Sequence, residues 1–158
     1  MSSHPPSASD RNEYSQPIRK IDYLLERYGE SHQNPRNELI HFIAIPMIVF
    51  SLIGVLHWIH PNLALIAIAG SVVYYAQLST LFMVVMTLLA ALCLYVAGLM
   101  GDALLPASVT IFVVSWIFQF IGHKFEGKKP SFFEDLQYLL VGPLFVLSKL
   151  FLKLGVKW

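Results

Sequence analysis

The sequence predicts an all-α, polytopic membrane helix bundle, and three observations carry that reading. From Leu39 to His123 there is one charged residue, Asp102. Hydrophobic residues make up 56% of the chain and charged residues only 13%, far more apolar than a soluble domain of 158 residues. Turn residues cut the apolar stretch into pieces near the length a bilayer demands, about 20 residues rising about 1.5 Å each across roughly 30 Å of hydrocarbon.

Each element has its own warrant. Met1 to Pro17 is rich in Ser, Pro and Asn and holds no apolar run of the kind a signal peptide needs. Residues 1–17 are therefore expected to be a disordered tail, and 18–158 a single membrane-embedded domain. Ile21, Leu24, Leu25 and Tyr28 fall at i, i+3, i+4 and i+7 among charged residues, which predicts an amphipathic helix ended by Gly29 and lying on the membrane surface or on the bundle. At Asn34-Pro35 a good N-cap precedes a proline suited to the first helical position, so the first span runs from there to about Leu56. His57 to Asn62 carries an interfacial Trp and a Pro and predicts a turn. Asn62 to about Ala76 is a short second span, Leu81 to Leu99 the third and Ala107 to His123 the fourth, with Asp102 expected to cap that last helix. The final run, Leu136 to Leu154, is interrupted by Gly142-Pro143. Its lysines Lys149, Lys153 and Lys157 recur every four residues as one basic face, which predicts an interfacial or re-entrant C-terminal helix rather than a fifth span.

Charge placement agrees with four spans. Arg11, Arg19, Lys20, Arg27 and Arg36 precede the first, Lys124, Lys128 and Lys129 follow the fourth, and none lies in the three turns between. An even count puts both flanks on the cytoplasmic side, where Lys and Arg are retained. A net charge of +1 with no dense basic stripe argues against a nucleic acid partner. Cys93, being single, forms no intrachain disulfide and reads as apolar filler.

The chemistry-bearing residues gather at the ends of that apolar run. His32 and His41 would sit about 13 Å apart on opposite faces of one straight helix. They share a ligand only if the chain turns at Asn34-Pro35, which leaves His32 on a loop, His41 two turns into the helix, and Asn37 on the same face as His41. On the fourth span Gln119, His123 and Glu126 stand at i, i+4 and i+7. If the first and fourth spans are neighbours, both sets meet near the cytoplasmic interface. Three imidazoles beside a carboxylate suit iron, zinc or copper, and ionisable groups at membrane depth default to a functional role. The bland reading of any one histidine is an interfacial anchor bonded to a carbonyl, and it is the favoured one for His57 and His60 at the opposite turn. His4 falls in the tail and takes no role. Glu126 could equally pair with Lys128 or Lys129, and Asn37 could simply satisfy the helix start. Trp116, Phe118, Phe120, Phe125, Tyr74 and Tyr75 read as packing or interfacial belt. Three classes stay open on the residues alone: a metal enzyme, a bis-histidine haem carrier with His41 and His123 as axial ligands, and a non-catalytic scaffold or small transporter.

Two motifs narrow this. They are Tyr28-x3-His32-x4-Asn37-x3-His41-x4-Pro46 and Trp116-x2-Gln119-Phe120-x-Gly122-His123-x-Phe125-Glu126-Gly127-x2-Pro130. With them the chain, over about Ile21 to Leu152, resembles the Mpo1-like family of small membrane proteins. Ala44 departs from the glycine expected two residues before the proline, which touches local packing more than chemistry. The resemblance implies an Fe(II)-dependent dioxygenase that shortens a 2-hydroxy fatty acid by one carbon in the α-oxidation of sphingolipid long-chain bases, with O2 as co-substrate and Fe(2+) as cofactor. It implies His32, His41 and His123 as iron ligands, and Asn37, Gln119 and Glu126 in or next to the site. It implies membrane lipid as surroundings, in the endoplasmic reticulum of a eukaryote or the inner membrane of a bacterium. Lys124, Lys128 or Arg36 would be positioned to attract the substrate carboxylate.

Overall fold

A computed structural model describes residues 18–127 and 138–158, all of whose regular structure is helical. The tail with His4 and Arg11, and the segment with Lys128, Lys129, Pro130 and Leu136, lie outside the described residues. The helices are α1 (Lys20–Gly29), α2 (Pro35–Ile59), α3 (Pro61–Ala76), α4 (Thr80–Leu99), α5 (Leu104–Glu126) and α6 (Gly142–Leu154), with a 3-10 turn at Gly101–Ala103 leading into α5. Three of them, α2, α4 and α5 with its leading turn, are long and apolar enough to cross a membrane, and α3 is a shorter apolar helix.

Local chemistry sets most boundaries. The Asn34 side chain accepts the Arg36 backbone N–H at 3.0 Å with Pro35 in the first turn, so α2 starts where the N-cap and proline place it. His60 performs the same task for α3, its Nδ1 taking the Asn62 N–H at 3.2 Å ahead of Pro61. Gly127 (φ 72°) and Gly155 (φ 67°) close α5 and α6 in the left-handed region.

One local expectation is met, though by another geometry, and two are corrected. α1 does end at Gly29, but that residue has no positive φ; the chain leaves the helix through a turn in which His32 N–H donates to the Gly29 carbonyl at 3.0 Å. Asp102 makes no capping bond to α5, whose N-cap is Ala103, because the chain tightens into the 3-10 turn first. Lys157 lies beyond α6, so the basic face stops at Lys153, and Lys149 is drawn to Glu38 of α2 at 3.3 Å.

Among the described residues the α2–α5 pair makes the most extensive helix–helix contact. Between helices surrounded by lipid tails the hydrophobic effect adds little, and association depends on close packing of small residues. Ala44 and Ser51 on α2 are seven residues apart, as are Ser108, Ser115 and Gly122 on α5, and all are buried. The two helices run antiparallel: a methyl at Gly54 would strike Ser108, and one at Gly122 would strike Asn37. Some hydroxyls are turned back onto their own helices, as Ser51 onto Ile48 O at 2.7 Å and Thr87 onto Met83 O at 2.7 Å, which satisfies them without water, whereas the buried Ser108 and Ser115 hydroxyls on the α2–α5 seam make no hydrogen bond among the described residues.

α1 packs onto the bundle. Ile21, Leu25 and Tyr28 join Phe145 and Phe151 of α6 and Phe82 of α4 in one apolar cluster. Burying each such side chain from water contributes roughly 1.5–3 kcal/mol. α6 has 13 residues and so spans about 20 Å, short of roughly 30 Å of hydrocarbon.

Candidate metal centre

The turn at residues 30–34 and the antiparallel α2–α5 contact bring three histidines together. His32 stands on the turn, His41 two turns into α2 and His123 one turn from the end of α5. All three are buried, at 3%, 1% and 5% exposure. One ring nitrogen from each lies within 4.8 Å of the others. Ring centroids are 4.3 Å apart for His32 and His41, 5.1 Å for His41 and His123, and 5.6 Å for His32 and His123.

Two of the rings have their tautomer set by the backbone. His32 Nδ1 lies 2.8 Å from the Tyr28 carbonyl and His41 Nδ1 lies 3.0 Å from the Asn37 carbonyl, each four residues back. A carbonyl oxygen only accepts, so each Nδ1 carries the proton and each Nε2 keeps its lone pair. An imidazole donating one N–H to a carbonyl while turning its other nitrogen to a common centre is the habit of metal-bound histidine. The donor set fits a divalent transition metal: three buried imidazole nitrogens gathered within 4.8 Å, which an inward shift of the rings by some tenths of an ångström brings within reach of bonds of about 2.1 Å. Tyr28 stacks on His32 with centroids 4.1 Å apart and planes 9° apart, and Phe145 of α6 closes the next side at 5.9 Å.

Glu126 and Asn37 lie beside this centre and hold its two halves together. The Glu126 carboxylate accepts the backbone N–H of Gln33 at 2.9 Å, the backbone N–H of Asn34 at 3.0 Å and the Asn37 amide at 3.0 Å. Asn34 returns a bond from its own amide to the Phe125 carbonyl at 2.9 Å. The end of α5 is thereby latched to the turn that carries His32 and to the first turn of α2. Asn37, fully buried, also supplies the carbonyl that orients His41, so one residue serves both latch and ligand. Gln119 sits one turn from His123, buried, facing a small cavity of about 20 Å³ that Tyr28, Ile45, Ile48, Trp116 and Gly142 also line.

His57 and His60 stand at the other end of α2, away from this cluster, and His60 is an N-cap. Arg36 places its guanidinium over the Phe125 ring at 5.6 Å on the rim. Phe145 and Gly142 escape a reading of the sequence, because each is an ordinary residue in an apolar run and only tertiary packing sets it against Tyr28. Gly122 had a signal that goes unused there: the seven-residue recurrence of small residues on α5, of which it is the last.

The chain has relatives among known proteins. The family model described as 2-hydroxy-palmitic acid dioxygenase Mpo1-like matches residues 18–154. The 2-hydroxy-palmitic acid dioxygenase MPO1 of Saccharomyces cerevisiae (strain ATCC 204508 / S288c) is 33% identical over 137 residues, covering 81% of this chain and 78% of the yeast protein. No solved structure matches. The histidine trio, both motifs and the matched length place the chain in one family: it belongs to the Mpo1-like proteins.

Proposed function

We propose that this protein is an Fe(II)-dependent dioxygenase that converts a membrane-dissolved 2-hydroxy fatty acid to the fatty acid one carbon shorter, with release of CO2. The observation that carries the reading is the buried trio His32, His41 and His123, in a chain whose matching family and yeast relative are both described as 2-hydroxy-palmitic acid dioxygenases. The stoichiometry needs no further co-reactant. The C1–C2 bond breaks, the 2-hydroxy acid loses four electrons, and one O2 accepts them, giving the shorter acid, CO2 and water.

A ferrous ion held by the three imidazoles supplies a template and Lewis acid for the substrate's hydroxyl and carboxylate oxygens and a site for reduction of O2. The rest is the work of the chain's own residues. The Tyr28 and Asn37 carbonyls fix two rings in the ligating tautomer. Glu126 holds the His32 turn against α5, so Asn37 and Glu126 act as positioning residues. Gln119 offers its amide to the substrate head one turn further into the bundle. Tyr28 and Phe145 keep water from one side of the centre.

In this reading α2, α3, α4 and α5 are four spans with both flanks cytoplasmic, and α1 and α6 form a layer over the metal end. The α3 helix, with 16 residues and about 24 Å of length, crosses only where the bilayer thins or the ends snorkel. A haem between His41 and His123 needs a porphyrin-wide slot between the rings, and the His32 ring stands 4.3 Å from one and 5.6 Å from the other.

The test is anaerobic Fe(II) loading of the detergent-purified protein, followed by O2 and 2-hydroxypalmitate, with mass spectrometry for pentadecanoic acid. The expected result is product that requires iron and disappears in His41→Ala. Iron-loaded, folded protein that makes no product from this or related 2-hydroxy acids overturns the reading.

A further inference from the structure

We propose that the apolar chamber lined by α2, α3, α4 and α5 receives the acyl chain of the substrate, and that its far end sets the longest chain accepted. The identity of the occupant rests on the dioxygenase reading above.

The chamber has a volume of about 520 Å³, within the range of small-molecule sites. Two of its lining side chains are polar, and both are satisfied elsewhere. The Ser71 hydroxyl donates to the Ala67 carbonyl at 2.9 Å, and the Tyr75 hydroxyl donates to the Leu140 carbonyl at 3.1 Å. The chamber therefore presents hydrocarbon and asks for hydrocarbon in return.

Its position ties it to the metal centre. Moving along α2 away from His41, Ile45 and Ile48 line the small cavity beside Gln119, and Val49 through Leu56 then contribute to the chamber wall. Moving along α5 away from His123, Gln119 and Trp116 line the same small cavity, and Phe112 and Val109 follow in the chamber. The order is centre, neck, chamber on both helices, and Leu139 lines neck and chamber alike. The neck, at about 20 Å³, has room for roughly one methylene, whose volume is close to the ~30 Å³ share of a water molecule. In this proposal the chain threads the neck in single file, with its polar head toward the histidines.

Two measures of the chamber agree on a long chain. His41 and Leu56 are about 22 Å apart along α2, and His123 and Val109 about 21 Å apart along α5, at 1.5 Å per residue. A saturated chain advances about 1.2 Å per bond, by the covalent geometry that lets an extended peptide cover about 3.6 Å in three bonds, so this depth takes roughly 16 to 18 carbons. The chamber's volume, within the range of drug-sized ligand sites, also accommodates such a chain.

The test narrows the far half of the chamber, where Ala67 of α3 and Ala90 of α4 are small wall residues. Ala67→Phe and Ala90→Phe would be compared with the unaltered protein in turnover of 2-hydroxy acids from about 10 to about 18 carbons. Binding of the matching non-hydroxylated fatty acids would be measured by native mass spectrometry, and melting temperature recorded for each variant. Loss of about tenfold or more on the longest chains, with short chains still processed, is expected, since one methylene in an apolar pocket is worth about 10–200-fold. An equal fall at every length in folded variants, or an unchanged profile, overturns the chamber. If the unaltered protein turns over no 2-hydroxy acid, the dioxygenase reading fails by itself. In that case binding that shifts to shorter fatty acids in both variants still supports the chamber, and binding that does not shift overturns it.

Discussion

The α2–α5 pair and the α3–α4 hairpin are written in equally apolar sequence, yet they are built for different tasks. Of the most apolar stretch of α2, 39% is buried inside the protein, against 17% for α4. Buried polar groups concentrate in the first pair: Asn37, His41 and Ser51 on α2, and Ser108, Ser115, Gln119 and His123 on α5. α3 and α4 bury only Ala64, Tyr75, Phe82, Met86 and Ala97 among their residues, and turn outward side chains such as Ile66 and Leu92. One half of the molecule is a close, polar-seamed clamp, where atoms must stay within fractions of an ångström. The other half is a lipid-facing wall around a chamber, where a chain must be admitted. Apolar composition alone does not distinguish a helix of the clamp from a helix of the wall.

Substitutions break this contrast in graded steps. The largest effect is expected from His123→Ala, which removes a ligand from the clamp: bound iron by elemental analysis and turnover should both fall to background, while the helical circular dichroism persists. Glu126→Gln keeps the shape but loses the charge that gathers three N–H donors, and a loss of about 10–100-fold in metal affinity is expected, by titration against a competing chelator. Gly122→Ala places a methyl against Asn37 in the tightest part of the seam. Overpacking of that kind costs about 1–3 kcal/mol, read as a lower melting temperature in detergent. Leu92→Ala on the outward face of α4 should stay within about 0.5 kcal/mol of the unaltered protein in the same assay. A Leu92→Ala effect as large as that of Gly122→Ala would dissolve the distinction between clamp and wall.

Much of this was legible in the residues. The Asn34-Pro35 break is a local signal, and it is what allows His32 and His41 to converge. The i, i+4, i+7 set of Gln119, His123 and Glu126 is legible for the same reason, since a helix obliges it. What Glu126 does was not legible. Its carboxylate reads equally well as a ligand, a partner of nearby lysines or a latch, and the backbone N–H groups of Gln33 and Asn34 that claim it lie more than ninety residues away in the chain. The role of α1 was likewise open between membrane surface and bundle, because an apolar stripe does not name what covers it; Phe145 and Phe151 of α6 do.

The sequence by itself determined the helical class, most of the breaks and the presence of two polar sets at the ends of one apolar run. These follow from short-range chemistry: backbone groups that lipid cannot satisfy, capping side chains, and a proline where an N–H is dispensable. The tertiary structure brought the three histidines together, made Glu126 a latch, set Phe145 against His32, and left an apolar chamber further along the same helices. Such features depend on which helices become neighbours and how closely they approach. Between helices in lipid that choice rests on the fit of small residues such as Gly54, Ser108 and Gly122, a property of two surfaces brought together that neither segment possesses alone.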